Sequence, residues 1–240
     1  KYHRNSLFKK IYDNLPSHEF KLRYGTAFDT VFNCCVSEEN VDLILFCLQN
    51  DFDINKVGIY DTTAVHIALT SCSPLVVSIV LGITTIRLNI DQKGVHPPLF
   101  TAVQMSQIDI VKMFIELSKG ENRRVEMTVK DEFGRTAIFF AAESDDTEMV
   151  KLLFETEKFD INYRDKFGQT IAHLAALNNS VNVVKYLLDE TFPDLGIMDI
   201  CGRTPIQLAL KNGFDEIRKM MSEYMTKNES SDPDTSDEEE

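Results

Sequence analysis

No run of apolar residues in this chain approaches the roughly 18 that a membrane-crossing helix needs, and its first residues lack the apolar core of a secretory signal. A soluble chain in the cytoplasm or nucleus is the expectation. The signatures G-x-x-x-x-G-K-[ST], G-x-G-x-x-G, G-x-S-x-G and H-E-x-x-H are also missing, which removes the common phosphate-binding, dinucleotide, serine-hydrolase and zinc-protease chemistries. The cysteines, Cys34, Cys35, Cys47, Cys72 and Cys201, are odd in number and never stand in C-x-x-C spacing, so they do not form the usual paired-thiolate zinc site. Their apolar neighbours point to buried thiols in a reducing compartment. His3, His18 and His96 have no Cys or carboxylate at metal-ligand spacing. No catalytic activity, cofactor or metal is expected.

A sustained basic face with interleaved aromatics is missing too, which argues against direct nucleic-acid binding. The formal charge is −13, but seven of the 38 acids lie between Asn228 and Glu240, where there is no base. The rest of the chain, with 31 acids against 25 bases, is only mildly acidic. Lys1–Gly25 is locally basic, with Lys1, Arg4, Lys9, Lys10, Lys21 and Arg23 against Asp13 and Glu19. From residue 225 on, the composition is too polar to offset the entropy of ordering, and residues 225–240 read as a disordered acidic tail. Within it Thr235 and Ser236 are followed by acids and suit kinases that prefer such a context.

What the chain does have is a period. Asp131-Glu-Phe-Gly-Arg-Thr-Ala-Ile-Phe-Phe-Ala, Asp165-Lys-Phe-Gly-Gln-Thr-Ile-Ala-His-Leu-Ala and Asp199-Ile-Cys-Gly-Arg-Thr-Pro-Ile-Gln-Leu-Ala begin 34 residues apart. A fixed period of this size marks stacked helical units, because one short helix pair cannot bury its apolar face without a neighbour. Gly134, Gly168 and Gly202 suit a turn with φ > 0, Thr136, Thr170 and Thr204 suit helix caps, and Pro205 suits a first helical turn. Val77, Val111, Val150 and Val184 each fall 14 residues after a motif position and mark a second helix in each unit.

The pattern D-x-x-G-x-T-P-L-H-x-A resembles the ankyrin repeat. Thr170, Ala172, His173 and Ala175 fill its T, L, H and A positions, as Thr204, Pro205, Ile206 and Ala209 fill T, P, L and A in the next copy. Projected backwards, the motif position falls at Thr26, Thr63, Pro97, Thr136, Thr170 and Thr204, giving six units. The expected architecture is an all-α solenoid of helix-turn-helix units with projecting hairpins over residues 24–224, preceded by a helical cap in residues 1–23. Three extra residues in the first unit are expected between its helices, near Ser37–Glu39, and five in the third after its second helix, near Gly120–Arg124. The first and third units depart from the family: Asp29 stands for its His and Val31 for its Ala, and Pro97 replaces Thr. The resemblance implies that His66 and His173 bond repeat backbone or the motif Thr, which makes them structural.

The resemblance also implies a binding function, carried at the hairpin tips before each Thr. Tyr60, Phe133, Phe167 and Cys201 stand three residues before it, with Glu132, Arg135, Lys166, Gln169 and Arg203 beside them. Aromatics aligned along one edge are candidate interface anchors, and the flanking charges are candidate selectors of a partner's sign. The expected function is a non-enzymatic scaffold or adaptor that binds another protein through the concave surface of hairpin tips and first helices and is monomeric alone. Six such repeats before an acidic segment are also similar in layout to inhibitors of the NF-kappa-B class. The opening residue, Lys1, is compatible with a third reading, a regulatory segment of a larger receptor, channel or enzyme.

Overall fold

A computed structural model describes residues 31–49, 54–55, 57–58, 62–83, 86, 88, 96–119, 125–156 and 159–229. Among these there are twelve α-helices and no strand. They run in pairs: α1 (Val31–Ser37) and α2 (Val41–Gln49), α3 (Ala64–Ser71) and α4 (Pro74–Gly82), α5 (Pro98–Gln104) and α6 (Ile108–Leu117), α7 (Ala137–Glu143) and α8 (Thr147–Phe154), α9 (Ile171–Leu177) and α10 (Val181–Glu190), α11 (Pro205–Asn212) and α12 (Asp215–Glu229). The chain forms two compact units, residues 1–101 and 102–240. In the first, α1 packs on α2 and α3, and α3 on α4; in the second, α9 packs on α7, α10 and α11, while α10 packs on α8 and α12.

Each first helix starts one residue after a motif position. Thr63, Thr136, Thr170 and Thr204 are N-caps with extended backbone, and Pro205 occupies the first turn, where a missing N–H leaves nothing unpaired. Five residues further on, Ala68, Ala102, Ala141, Ala175 and Ala209 are all buried. A methyl group there lets the neighbouring helix approach closely. Second helices contribute Val77, Val111, Val150 and Val184, also buried. Burial of side chains of this size contributes about 1.5–3 kcal/mol each, and that comes only through stacking.

The turn between the paired helices fixes the register of the whole series. Its left-handed residue is Ser106, Asp145, Asn179 or Gly213, nine positions after the motif residue, and the next N–H bonds the carbonyl of the conserved-size position: Gln107 to Ala102, Asp146 to Ala141, Ser180 to Ala175, Phe214 to Ala209. In the first pair the left-handed residue is Glu39, and Asn40 N–H bonds the Cys35 carbonyl. The first unit is therefore in register with Thr30, not Thr26, and α1 begins at Val31. Its interval to Thr63 is 33 residues, and no extra residues lie between its helices. Cys35 takes the small-residue place, and Asn33, buried, takes the place of the motif His. The five extra residues of the third interval do fall after α6, and Gly120–Arg124 are outside the described residues. In the second pair Pro74 pushes Ser73 into extended backbone, so the connector bends there without a left-handed residue.

Two further expectations change. Helix α12 runs through Glu229, so residues 225–229 are helical, with Ile217 and Met221 of that helix buried. Residues 230–240, Thr235 and Ser236 with them, lie outside the described residues, as does the segment 1–23 expected to cap the repeats. Of the cysteines, Cys35 and Cys47 are buried, Cys72 is half-buried and Cys201 is exposed. A hydrogen bond with Cys47, then burial, pushes the Cys35 thiol up and keeps it protonated.

His66 and His173 fasten one unit to the next. The Nδ1 of His66 accepts from Thr63 N–H at 3.2 Å, and its Nε2–H donates to the His96 carbonyl at 2.7 Å. His173 does the same with Thr170 N–H at 3.1 Å and the Arg203 carbonyl at 3.1 Å. Both rings are neutral in this arrangement, since a protonated Nδ1 cannot accept. Burial lowers both pKa values below the ordinary 6.5. The unfolded chain then binds more protons below about pH 6.5. Their stabilising contribution is complete above that pH and is lost as pH falls through the folded values. Denaturant unfolding between pH 7.5 and 5 should therefore show stability declining with acid. His173→Gln should flatten that slope, because Gln207 already serves as the non-titrating equivalent, its Oε1 accepting from Thr204 N–H at 3.0 Å. An unchanged slope in the variant would show that His173 does not titrate in this window.

Candidate functional site

The hairpins of residues 131–135, 165–169 and 199–203 share one construction, set by an aspartate at the base. Asp131 Oδ1 accepts from the N–H groups of Phe133 and Arg135 at 2.9 and 2.7 Å, Asp165 Oδ1 from those of Phe167 and Gln169 at 2.8 Å, and Asp199 Oδ1 from those of Cys201 and Arg203 at 2.8 and 2.9 Å. Gly134, Gly168 and Gly202 carry φ of 80, 71 and 71°. Only glycine holds that turn without strain.

Successive hairpins are bonded to one another. Lys166 N–H donates to the Phe133 carbonyl at 2.8 Å, and Ile200 N–H to the Phe167 carbonyl at 2.9 Å. The Tyr163 hydroxyl donates to the Gly134 carbonyl at 2.9 Å, Lys166 Nζ to the Glu132 carbonyl at 2.7 Å, and Arg164 Nη2 to the Met198 carbonyl at 2.9 Å. The tips are thereby held at a constant step.

That step sets the side chains in a row. The rings of Phe133 and Phe167 stack with centroids 5.8 Å apart and planes at 28°, yet they remain 37% and 43% exposed. They are packed against each other and still present a face to solvent. In the next hairpin exposed Cys201 takes the place of the rings, and Ile200 and Met198 of the same segment are 68% and 55% exposed. Ile200 and Met198 escape a search for aromatics at the position three before the Thr, although their apolar character in an otherwise polar hairpin was a usable signal. Tyr60 lies outside the described residues.

The charged candidates separate into two kinds. Arg135 and Arg203 are bound within their own hairpins, with Nε 2.8 Å from Asp131 Oδ2 and 2.9 Å from Asp199 Oδ2. Arg135 also lies over the rings of Phe133 and Phe140, 5.2 and 4.6 Å from their centroids. Both arginines serve to hold the tip, whereas the side chains of Glu132 and Lys166 are exposed, with Lys166 Nζ on the Glu132 carbonyl. Burial works against the charged form of Asp199, but hydrogen bonds from the Arg203 side chain and backbone and from Cys201 N–H outweigh it and hold the carboxyl below its usual value.

The fifth hairpin lacks this pair. Gln169 stands where its neighbours have arginine, and Oδ2 of buried Asp165 has no hydrogen-bond partner among the described residues. Gln169→Arg should supply one. Such pairs contribute up to about 1 kcal/mol, and Tm should rise by about 2 °C or more in a scanning calorimeter; an unchanged or lower Tm would show that Asp165 needs no cation. The glycines offer a second test. A methyl group at Gly168 meets the backbone N of Ile200 at 3.2 Å, whereas at Gly202 nothing lies within 4 Å. Both Ala variants carry the left-handed penalty of about 1–2 kcal/mol, so Gly168→Ala should cost clearly more than Gly202→Ala in urea unfolding. Equal costs would remove the close hairpin approach as a constraint.

The comparisons agree with this geometry. Residues 99–199 match the family model for ankyrin repeats (3 copies). Among solved structures, an ankyrin repeat domain from Acinetobacter baumannii AYE aligns with a TM-score of 0.67 and 19% identity, covering 82% of this chain and 98% of that one. No curated protein matches the chain. No described helix is long and apolar enough to cross a membrane. The stacked helix pairs and the left-handed hairpin glycines give this chain the ankyrin repeat fold, and residues 99–199 are similar in sequence to ankyrin repeats.

Proposed function

We propose that this chain is a non-enzymatic interaction module that holds an apolar segment of a partner protein against the hairpin edge of residues 131–203. Ankyrin repeats mediate protein–protein contacts in general; the choice of edge rests on the exposed, stacked pair Phe133 and Phe167, with Ile200 exposed in the next hairpin. Rings held by a neighbouring ring and by an arginine lose little entropy on binding, so their burial by a partner contributes nearly in full. Glu132 and Lys166 border the rings with opposite charges and suit recognition of a segment's orientation.

The test is quantitative. A partner identified by affinity purification of the native protein is purified and titrated against the wild type and Phe133→Ala/Phe167→Ala. Anchors of this kind cost about 2 kcal/mol or more when truncated, so Kd should rise by about 30-fold or more while Tm moves by only a few degrees. A large fall in Tm with affinity unchanged would overturn the proposal and reduce the rings to packing residues.

A further inference from the structure

A concave feature of the fold shares no residue with the hairpins of residues 131–135, 165–169 and 199–203. An open cleft of about 800 Å³ lies where the last turn of α8, the loop at Phe159–Ile161 and the last turn of α10 meet. Three rings line it, Phe154, Phe159 and Tyr186, and three carboxylates stand around them, Glu155, Asp160 and Glu190. Phe154 and Tyr186 have centroids 6.4 Å apart with planes at 47°, so the two rings form a V rather than a closed stack. All three rings are half-buried, and all three carboxylates are exposed.

Among the described lining residues there is one cation, Lys151, whose Nζ sits 5.1 Å from the Tyr186 centroid. An ammonium within about 6 Å of a ring face is held by the ring's quadrupole, so the Tyr186 face already acts as a seat for positive charge. One lysine against three carboxylates gives these described lining residues a formal excess of two negatives. The phenol of Tyr186 is pushed up, by burial first and then by the charges of Glu190 and Glu155, which places their field on the ring itself.

We propose that this cleft binds the guanidinium of an arginine in a basic segment of a partner protein. Aromatic faces with carboxylates at their margin match that group better than any other side chain. Its plane stacks on a ring, its forked N–H groups point outward in that plane toward carboxylates at the margin, and its weak hydration makes leaving water inexpensive. A lysine ammonium is a compact, strongly hydrated point charge and cannot stack. Lys151 is the internal competitor that the arginine displaces. The inference does not depend on the hairpin edge being an interface.

The probe is a fluorescein-labelled, end-capped Gly-Arg-Gly-Arg-Gly peptide, titrated against the full chain at 150 mM salt, beside its lysine counterpart and tetramethylammonium ion. The arginine peptide should bind at least about fivefold more tightly than the lysine peptide. Tyr186→Leu, which keeps an apolar side chain but removes the ring, should weaken it by about tenfold. Glu190→Gln, at an exposed position where folding is not at issue, should weaken it by about threefold or more. Lys151→Gln should strengthen binding, whereas Lys211→Gln, with the same change of net charge on another helix, should not. Phe167→Ala should have no effect, which separates this site from the hairpin edge. The proposal is overturned if no binding is detected, if the two peptides bind equally, if tetramethylammonium displaces the arginine peptide at equal concentration, or if Lys211→Gln matches Lys151→Gln.

Discussion

Each repeat must bond to the next at a fixed step, and the rest of the structure depends on that constraint. A pair of short helices buries one face at most, and helices of seven or eight residues are unstable alone in water. Among the described residues the chain meets the requirement in two ways, at the hairpin tips and at the start of the first helix. At the hairpin, an N–H of one tip reaches the aromatic's carbonyl of the tip before it. At the helix start, an imidazole takes the cap residue's N–H on one side and donates to the following repeat on the other. One ring thus satisfies a helix end and a repeat junction together, which is why its neutral form is required.

The same constraint explains how side chains are assigned. Positions that recur with the period are consumed by the repeat itself: the Asp that gathers the turn's N–H groups, the left-handed Gly, the capping Thr, the Ala under the neighbouring helix. Positions that vary are the ones the step leaves uncommitted. Phe133, Phe167 and Ile200 belong to this second set, as do the rings and carboxylates at the far ends of α8 and α10. The variation also has structural consequences, as at Gln169, where the loss of one arginine leaves a buried carboxylate oxygen without a partner.

Much of this was legible in the sequence because it is local chemistry. Thr, Gly, Pro and His at fixed offsets determine caps and turns within four or five residues, and the structure has them where the motif puts them. The register of the first unit was not legible, since neither Thr26 nor Thr30 is followed by the family's His, and no Gly marks the turn between the helices. It became clear only from the left-handed Glu39, a conformation that composition does not favour for that residue type. The end of α12 was hidden for a related reason: its polar residues face water while Ile217 and Met221 hold the helix, and a tally of composition sees only the polarity. At the hairpin edge the exposed aromatic positions could be read directly. The inward commitment of Arg135 and Arg203 could not, because pairing across a turn looks the same in sequence as a free surface charge.

The bonds between hairpins also limit how anything else can attach there. The carbonyls of Glu132, Phe133, Gly134, Phe167 and Met198 all accept hydrogen bonds from neighbouring residues of the same chain. An incoming peptide finds those acceptors occupied and cannot extend the edge by strand addition at these positions. Such an edge is also protected against pairing with a second copy of itself, the usual hazard of exposed backbone. Whatever docks at these tips must read side chains, so selectivity there can change residue by residue without disturbing the scaffold.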